Sequence, residues 1–236
     1  MNLLVLAGGF GTRLRSVVSD VPKPLAPVAG KTFIAHLIAH WMEQGVKEFI
    51  FLLHYEACQI EAVLKEMSCD PKFSGVNFKT ITEDAPLGTG GAVLHAIKKL
   101  GVEDSFLVAN ADTWLGSGVN TLSQELPCAL AAVNVRNSQR YGTLRFEGSK
   151  ITHFEEKSNA VGQGYVSSGL YHLLPTIFDG FEFGSTFSLE KDIFPKLVAG
   201  RELSVVKLDS SFIDIGIPSD YLKFCKWIEL ERKNDI

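Results

Sequence analysis

No stretch of this 236-residue chain approaches the roughly 20 apolar residues that a bilayer-spanning helix needs. The opening residues carry no basic segment, and their hydrophobic run over 3–6 stops at Ala7 before glycines, so no secretory leader is expected and a cytoplasmic location is the default. Cysteine is sparse. Cys58, Cys69, Cys128 and Cys225 lie far apart, with no Cys-x-x-Cys pair and no histidine at ligand spacing, which argues against a zinc site or a disulfide framework. They read as buried or partly buried small hydrophobes. His36 and His40 are four residues apart on an expected helix, but no third ligand accompanies them, so a structural or surface role is expected. A positive charge excess is also missing. With a net charge of −4 the chain offers no bulk attraction to nucleic acid or acidic membranes, and any anion site must be built locally.

The composition that remains, 46% hydrophobic and 21% charged, is that of an ordinary soluble enzyme, and the length suits one α/β domain. Buried strands are expected over 3–6 and 49–53, and further strands over 76–82 and 106–109. Between them lie helical patterns carried by Phe33, Ile34, Leu37, Ile38 and Trp41, by Ile60, Val63, Leu64 and Met67, and by Ala92, Val93, Ala96, Ile97 and Leu100. Gly45 is placed to close the first of these helices. The alternation predicts a doubly wound, mainly parallel, Rossmann-like sheet with ligands at the carboxyl ends of its strands. After residues 130–135 come shorter strand candidates over 142–146, 151–154 and 165–173, which predict a mixed or antiparallel portion packed on the parallel sheet. Pro218 opens a last helix. No linker, repeat or low-complexity tract divides the chain. A single domain over 1–236 is expected, with a first half over 1–135, a second over 136–217 and a terminal helix over 218–236.

Residues 3–28, LLVLAGGFGTRLRSVVSDVPKPLAPV, join a buried strand to a glycine-rich turn. Ala7, Gly8, Gly9 and Gly11 let backbone N–H groups approach a ligand closely, as a phosphate cradle requires. Arg13 and Lys23 bracket the turn, and Pro22 and Pro24 are expected to hold Lys23 in an extended stretch from which its ammonium points back at the cradle. Asp112 follows one strand and Asp214 lies in Phe-Ile-Asp-Ile-Gly-Ile-Pro. Either aspartate alone reads as a cap or turn residue, but a convergent pair suits Mg2+, which takes few carboxylates and keeps waters and phosphate oxygens. The glycines of Pro86-Leu87-Gly88-Thr89-Gly90-Gly91 suit a helix entry with close packing. Phe178, Phe181, Phe183, Phe187 and Phe194 read as core or a subunit contact. Glu190 and Asp192 could touch a sugar or start a helix, and the helix start is the preferred reading.

Together these strings resemble the sugar-1-phosphate nucleotidylyltransferases, whose signature runs L-A-G-G-x-G-T-R-L, a spacer, then P-K-P-L-x-P-V. The spacer Arg-Ser-Val-Val-Ser-Asp over 15–20 is most similar to that of the D-glycero-α-D-manno-heptose 1-phosphate guanylyltransferases. The resemblance implies transfer of a nucleotidyl group from GTP, or another nucleoside triphosphate, to a sugar 1-phosphate, with D-glycero-α-D-manno-heptose 1-phosphate the expected acceptor and GDP-heptose and pyrophosphate the products, for surface polysaccharide synthesis. Mg2+ is the implied cofactor, held by Asp112 and Asp214, although Ile217 replaces the family's usual threonine before the proline. Arg13, Lys23 and Lys157 are the implied catalytic cations. Leu6, Ala7, Gly8, Gly9, Gly11, Thr12, Glu83, Gly88 and Thr89 are the implied nucleotide contacts, with Gly88 leaving room for the base. A carboxylate at Glu83 can accept two parallel hydrogen bonds from guanine N1–H and N2–H₂, where uracil or thymine offers one N–H. The string Pro-Leu-Gly-Thr-Gly-Gly resembles the family's base-binding loop. Gly142, Glu156, Lys157, Ser168 and Gly169 match the sugar-phosphate motifs, so the second half becomes the sugar-binding portion. No nucleic-acid or membrane partner is implied, and a homo-oligomer is compatible with the family. The alternatives are a UTP- or dTTP-dependent hexose 1-phosphate enzyme and a catalytically silent sugar-nucleotide sensor or regulatory subunit.

Overall fold

A computed structural model describes residues 2–155 and 162–234. The first half runs β1 (Asn2–Leu6), β2 (Pro27–Val28), β3 (Lys31–Thr32), α1 (Phe33–Glu43), β4 (Glu48–Leu53), α2 (Ala57–Cys69), β5 (Asn77–Thr82), α3 (Gly88–Leu100), β6 (Phe106–Asn110), β7 (Thr113–Leu115) and α4 (Val119–Gln124). There follow β8 (Ala129–Val135), β9 (Thr143–Glu147), β10 (Lys150–Glu155), β11 (Gly164–Leu173), α5 (Phe194–Ala199), β12 (Ser204–Leu208), β13 (Phe212–Asp214) and α6 (Pro218–Asn234).

The main sheet has the order β5-β4-β1-β6-β11-β8-β12-β10-β9. Its first four strands are parallel, and β11 then runs antiparallel between β6 and β8. The chain leaves β1 toward β4 and β5, and returns to the other side of β1 with β6. That reversal opens a crevice at the carboxyl end of β1, where the glycine-rich turn begins. Residues 3–5 of β1, 49–53 of β4 and 106–109 of β6 are apolar and buried because both faces of these strands are covered, whereas β5 at the end of the sheet is largely exposed. Leu3, Val5, Phe49 and Phe51 face a core built with α1, α2 and α6, while Leu4, Ile50 and Leu52 face one built with α3 and α5. Phe49 is fully buried, and truncation to alanine there costs about 3–5 kcal/mol.

The mixed second half agrees with expectation, but β12 and the β7–β13 pair were not foreseen. Ser-Val-Val-Lys-Leu of β12 shows little periodicity and owes its place to pairing with β8. The β13–β7 pair aligns Asp214 with Thr113, which brings the Asp214 loop beside Asp112. Cys58 and Cys69, expected to be at least partly buried, are exposed on α2, whose buried stripe is carried by Ile60, Leu64 and Met67. Gly45 follows α1 as expected, its N–H bonded to the Met42 carbonyl. His36 and His40 are structural: their Nε2 atoms lie 3.0 Å and 2.9 Å from the carbonyls of Val28 and Leu115.

Candidate active site

The turn after β1 leaves the sheet at Ala7, whose N–H is donated to the Leu52 carbonyl at 3.0 Å, so the open cradle begins after Ala7 rather than at it. Among the described residues, the N–H groups of Gly9, Phe10, Gly11 and Thr12 have no protein acceptor. Gly11 has φ +58, and a Cβ there would stand 3.0 Å from the Lys23 Cβ. Glycine therefore supplies both the left-handed conformation and the space in which Lys23 passes beneath the turn. Arg13 follows in a single 3-10 turn over Thr12–Leu14, with an exposed side chain.

Lys23 is not in an extended stretch, as the flanking prolines suggested. It opens a 3-10 turn, Lys23–Leu25, closed by Leu25 N–H on the Pro22 carbonyl at 2.8 Å. Pro22 is the extended residue that caps this turn, and Pro24 fits a position where no N–H is required. The turn nevertheless delivers the ammonium to the crevice: Nζ lies 2.5 Å from Asp112 Oδ2 and 3.6 Å from Asp214 Oδ1. Gly216 leaves room for this convergence, since a Cβ there would stand 3.1 Å from Lys23 Nζ.

Burial opposes ionisation of Asp112, but Lys23, Thr113 and Arg13 outweigh it and hold the carboxyl below its ordinary range. Asp214 is pushed the other way, first by burial and then by the neighbouring Asp112 charge, which Lys23 only partly offsets. One ammonium thus leaves two facing carboxylates incompletely neutralised. A divalent cation fits that donor set, and among the described residues no third His, Cys, Asp or Glu joins it, so remaining ligands would be water and phosphate.

Two adjoining cavities occupy the crevice and share Leu6, Gly9, Phe10 and Asp112. One, of about 260 Å³, is walled by Ala7, Gly11, Thr12, Arg13, Lys23 and Gly216. The other, of about 330 Å³, is walled by Gly8, Leu52, His54, Glu83, Gly88 and Thr89. Glu83 is only 7% exposed. Its Oε2 accepts the Leu87 N–H at 3.0 Å, and burial pushes its carboxyl up despite that bond and nearby His54. The glycine at 88 lines this cavity and also answers a second need. A Cβ there would lie 2.5 Å from the Phe187 carbonyl oxygen, so the residue accommodates the 187 segment, whose carbonyl accepts the Gly90 and Gly91 N–H groups.

The sugar-side motifs are less convergent. Gly142, Ser168 and Gly169 line neither cavity. Gly142 accepts the Ser167 N–H at 3.1 Å, and Gly169 packs close to Asn110, which lines the second cavity. Ser168 is a correction: it is buried within the sheet and donates its hydroxyl to the Ala131 carbonyl at 2.9 Å. Strand alternation turns Ser167, not Ser168, toward Tyr171. Glu156 and Lys157 lie outside the described residues. Glu190 stands in the first turn of the helical segment that leads into α5, as its reading as a helix start expects, and it also turns its carboxylate inward to Thr89 and Tyr171.

Sequence reasoning also passed over Phe10 and His54. Phe10 stands inside the glycine motif at its variable position, is 48% exposed, and packs against Tyr55 with ring centroids 5.3 Å apart. His54 follows β4 at the same sheet edge as the cradle, and Nδ1 lies 3.1 Å from the Glu83 carbonyl. Its position just past a parallel strand was the available signal.

The family model described as Nucleotidyl transferase matches residues 2–229. The chain is 35% identical to the D-glycero-alpha-D-manno-heptose 1-phosphate guanylyltransferase of Campylobacter jejuni, over 95% of this chain and 98% of that one. It is 31% identical to the protein of the same name from Aneurinibacillus thermoaerophilus, over 97% and 99% of the two chains. Among solved structures, HddC from Yersinia pseudotuberculosis complexed with GMP-PN aligns with a TM-score of 0.82 and 33% identity, covering 96% of this chain and 99% of that one.

Proposed function

Because the chain belongs to the nucleotidyl transferase family, we propose that it transfers a guanylyl group from GTP to D-glycero-α-D-manno-heptose 1-phosphate, giving a GDP-heptose and pyrophosphate. The observation that carries this reading is the Lys23 ammonium held between Asp112 and Asp214 under an open glycine turn, beside a cavity with a buried carboxylate at Glu83. An oxygen of the sugar phosphate attacks the α-phosphorus in line as pyrophosphate departs, so the protein's task is to align two polyanions and to offset their charge. The N–H groups after Ala7 and the Arg13 guanidinium hold the triphosphate and the leaving pyrophosphate. Lys23 moves its charge onto the reacting phosphate. Asp112 and Asp214 would hold Mg2+, which would supply a divalent charge to offset that of the phosphates.

Glu83 reads guanine N1–H and N2–H₂, with Oε1 available and Oε2 already oriented by Leu87. Leu6, Gly8, Gly9, Gly88 and Thr89 frame the nucleotide; the sugar phosphate lies toward Gly142 and Gly169, and Glu156 and Lys157 are assigned to it from their motif alone. On this reading residues 1–135 chiefly bind nucleotide and 136–217 chiefly bind sugar, in a cytoplasmic enzyme supplying surface polysaccharide synthesis. The test is pyrophosphate release with Mg2+ across GTP, UTP, dTTP, CTP and ATP against heptose, mannose and glucose 1-phosphates. Turnover with GTP and the heptose is expected. Preference for UTP or dTTP with a hexose would reassign the substrates, and silence with every pair would favour a sensor.

A further inference from the structure

Glu190 lies on a single π-helical turn, Leu189–Ile193, and lines neither cavity. Its carboxylate accepts the Thr89 hydroxyl at 2.7 Å and the Ser188 hydroxyl at 2.7 Å through Oε2, and the Tyr171 hydroxyl at 3.3 Å through Oε1. Thr89 is the second residue of α3 and lines the cavity that holds Glu83. Its hydroxyl oxygen accepts the Leu189 N–H at 2.9 Å, so the turn grips it from two directions. Tyr171 is buried in β11, four residues beyond Ser167, whose N–H meets the Gly142 carbonyl. Burial and the Glu190 charge push the Tyr171 hydroxyl well above its ordinary range and keep it a donor.

We propose that Glu190 is a positioning residue that couples the two substrates, its carboxylate tying the nucleotide-side loop through Thr89 to the sugar-side strand through Tyr171. A helix start needs no such arrangement. The capping of this turn is done by Ser188, whose hydroxyl oxygen receives the N–H groups of Glu190 and Lys191, and by Asp192, whose Oδ2 receives the Ser188 N–H at 2.7 Å. Glu190 is thereby free to bond outward from the turn, across to two different elements. A carboxylate shared among three hydroxyls forms charge-assisted bonds that weaken steeply with misalignment, so displacement on one side is felt on the other.

The inference rests on the proposed function and is tested with an α,β-methylene GTP analogue, which cannot release pyrophosphate, and heptose 1-phosphate, both with Mg2+. Calorimetry on the wild-type chain is expected to show that each ligand strengthens the other's binding. Glu190→Ala should weaken both ligands about tenfold and remove their mutual enhancement. Asp192→Ala, which loosens the same turn without touching the Glu190 carboxylate, should lower Tm and leave both affinities and their coupling in place. Should Glu190→Ala fail to fold, Glu190→Gln is held to the same criteria. Weakening of the sugar phosphate alone would make Glu190 a direct sugar ligand, and unchanged affinities with a lowered Tm would make it a purely structural residue; either overturns the coupling role. Wild-type turnover with independent binding overturns the inference alone, whereas absence of wild-type turnover removes the proposed function and the inference with it.

Discussion

The two adjoining cavities differ in kind. The one beneath the glycine turn is dense with charge, with Arg13 and Lys23 facing Asp112 in its wall, whereas the one beside α3, which meets the first at Asp112, sets the buried Glu83 carboxylate beside Leu52 and Ala92 and holds neither cation. In the first, charges face one another over a short distance and are only partly matched. In the second, the Glu83 carboxylate stands beside apolar side chains with neither Arg13 nor Lys23 in the wall, and a base edge left unpaired there would go unsolvated. The contrast separates turnover from choice of nucleotide: changes in the charged cavity should remove the rate for every nucleotide, and changes in the apolar one should re-rank nucleotides.

The strongest test of that division is Lys23→Ala. It removes the cation that faces both aspartates, and kcat is expected to fall by about 10³-fold or more for every nucleotide, a loss of roughly 4 kcal/mol of transition-state stabilisation. Circular dichroism should show the fold retained. A well-folded variant with wild-type turnover would remove Lys23 from the reaction. Asp112→Asn comes next, with an expected loss of about 10²-fold at saturating Mg2+ and a weaker apparent affinity for the metal, both read from Mg2+ titrations of initial rate.

Glu83→Gln should act on the other side of the comparison. KM for GTP is expected to rise about tenfold while kcat changes little, because the amide presents one acceptor and an N–H₂ that opposes the guanine N–H groups. UTP should lose less. The pH dependence has a defined sign. Reading guanine requires the ionised carboxylate, and burial raises the Glu83 pKa, so GTP affinity should fall on acidification from a higher pH than an ordinary glutamate would give. The same shift means the folded state holds this proton more tightly than the unfolded chain. Its contribution to stability is therefore present below the unfolded glutamate range and is lost as pH rises through the folded value. Calorimetric GTP titrations between acid and neutral pH should show the slope in the wild-type chain and its loss in Glu83→Gln.

What was legible in the sequence follows the same division. The parallel half announces itself through runs such as Phe-Ile-Phe-Leu-Leu in β4 and through glycines adjacent in the chain, because its order arises from local pattern and from strands buried on both faces. That the Lys23 ammonium turns back to the crevice could be expected from its motif, yet neither its contact with Asp112 and Asp214 nor its path could: two prolines suggested extension, and the chain closed a 3-10 turn instead. On the second half, the decisive contacts join positions far apart. The Thr89–Glu190 bond spans 101 residues, and no local periodicity distinguishes Glu190 from its neighbours Lys191 and Asp192. The position of β12 depends likewise on β8, which precedes it by a long stretch of chain.

Ser168 gives the smallest expected effect and the sharpest separation of motif from contact. It belongs by position to the string Ser-Ser-Gly-Leu-Tyr that resembles a sugar-binding motif, but its hydroxyl is donated to Ala131 inside the sheet. Ser168→Ala removes the donor and leaves the Ala131 carbonyl without that bond, at an expected cost of about 1 kcal/mol in urea unfolding. The KM for the sugar phosphate should not move, since no ligand reaches a side chain that is 2% exposed. Ser167→Ala offers the counterpart on the opposite face of β11, where the hydroxyl lies 3.5 Å from Tyr171. If sugar KM rose with Ser168→Ala and not with Ser167→Ala, strand alternation would be the wrong guide to this motif. The opposite pattern would show that the string acts through Ser167, on the face it shares with Tyr171, rather than through the serine at 168.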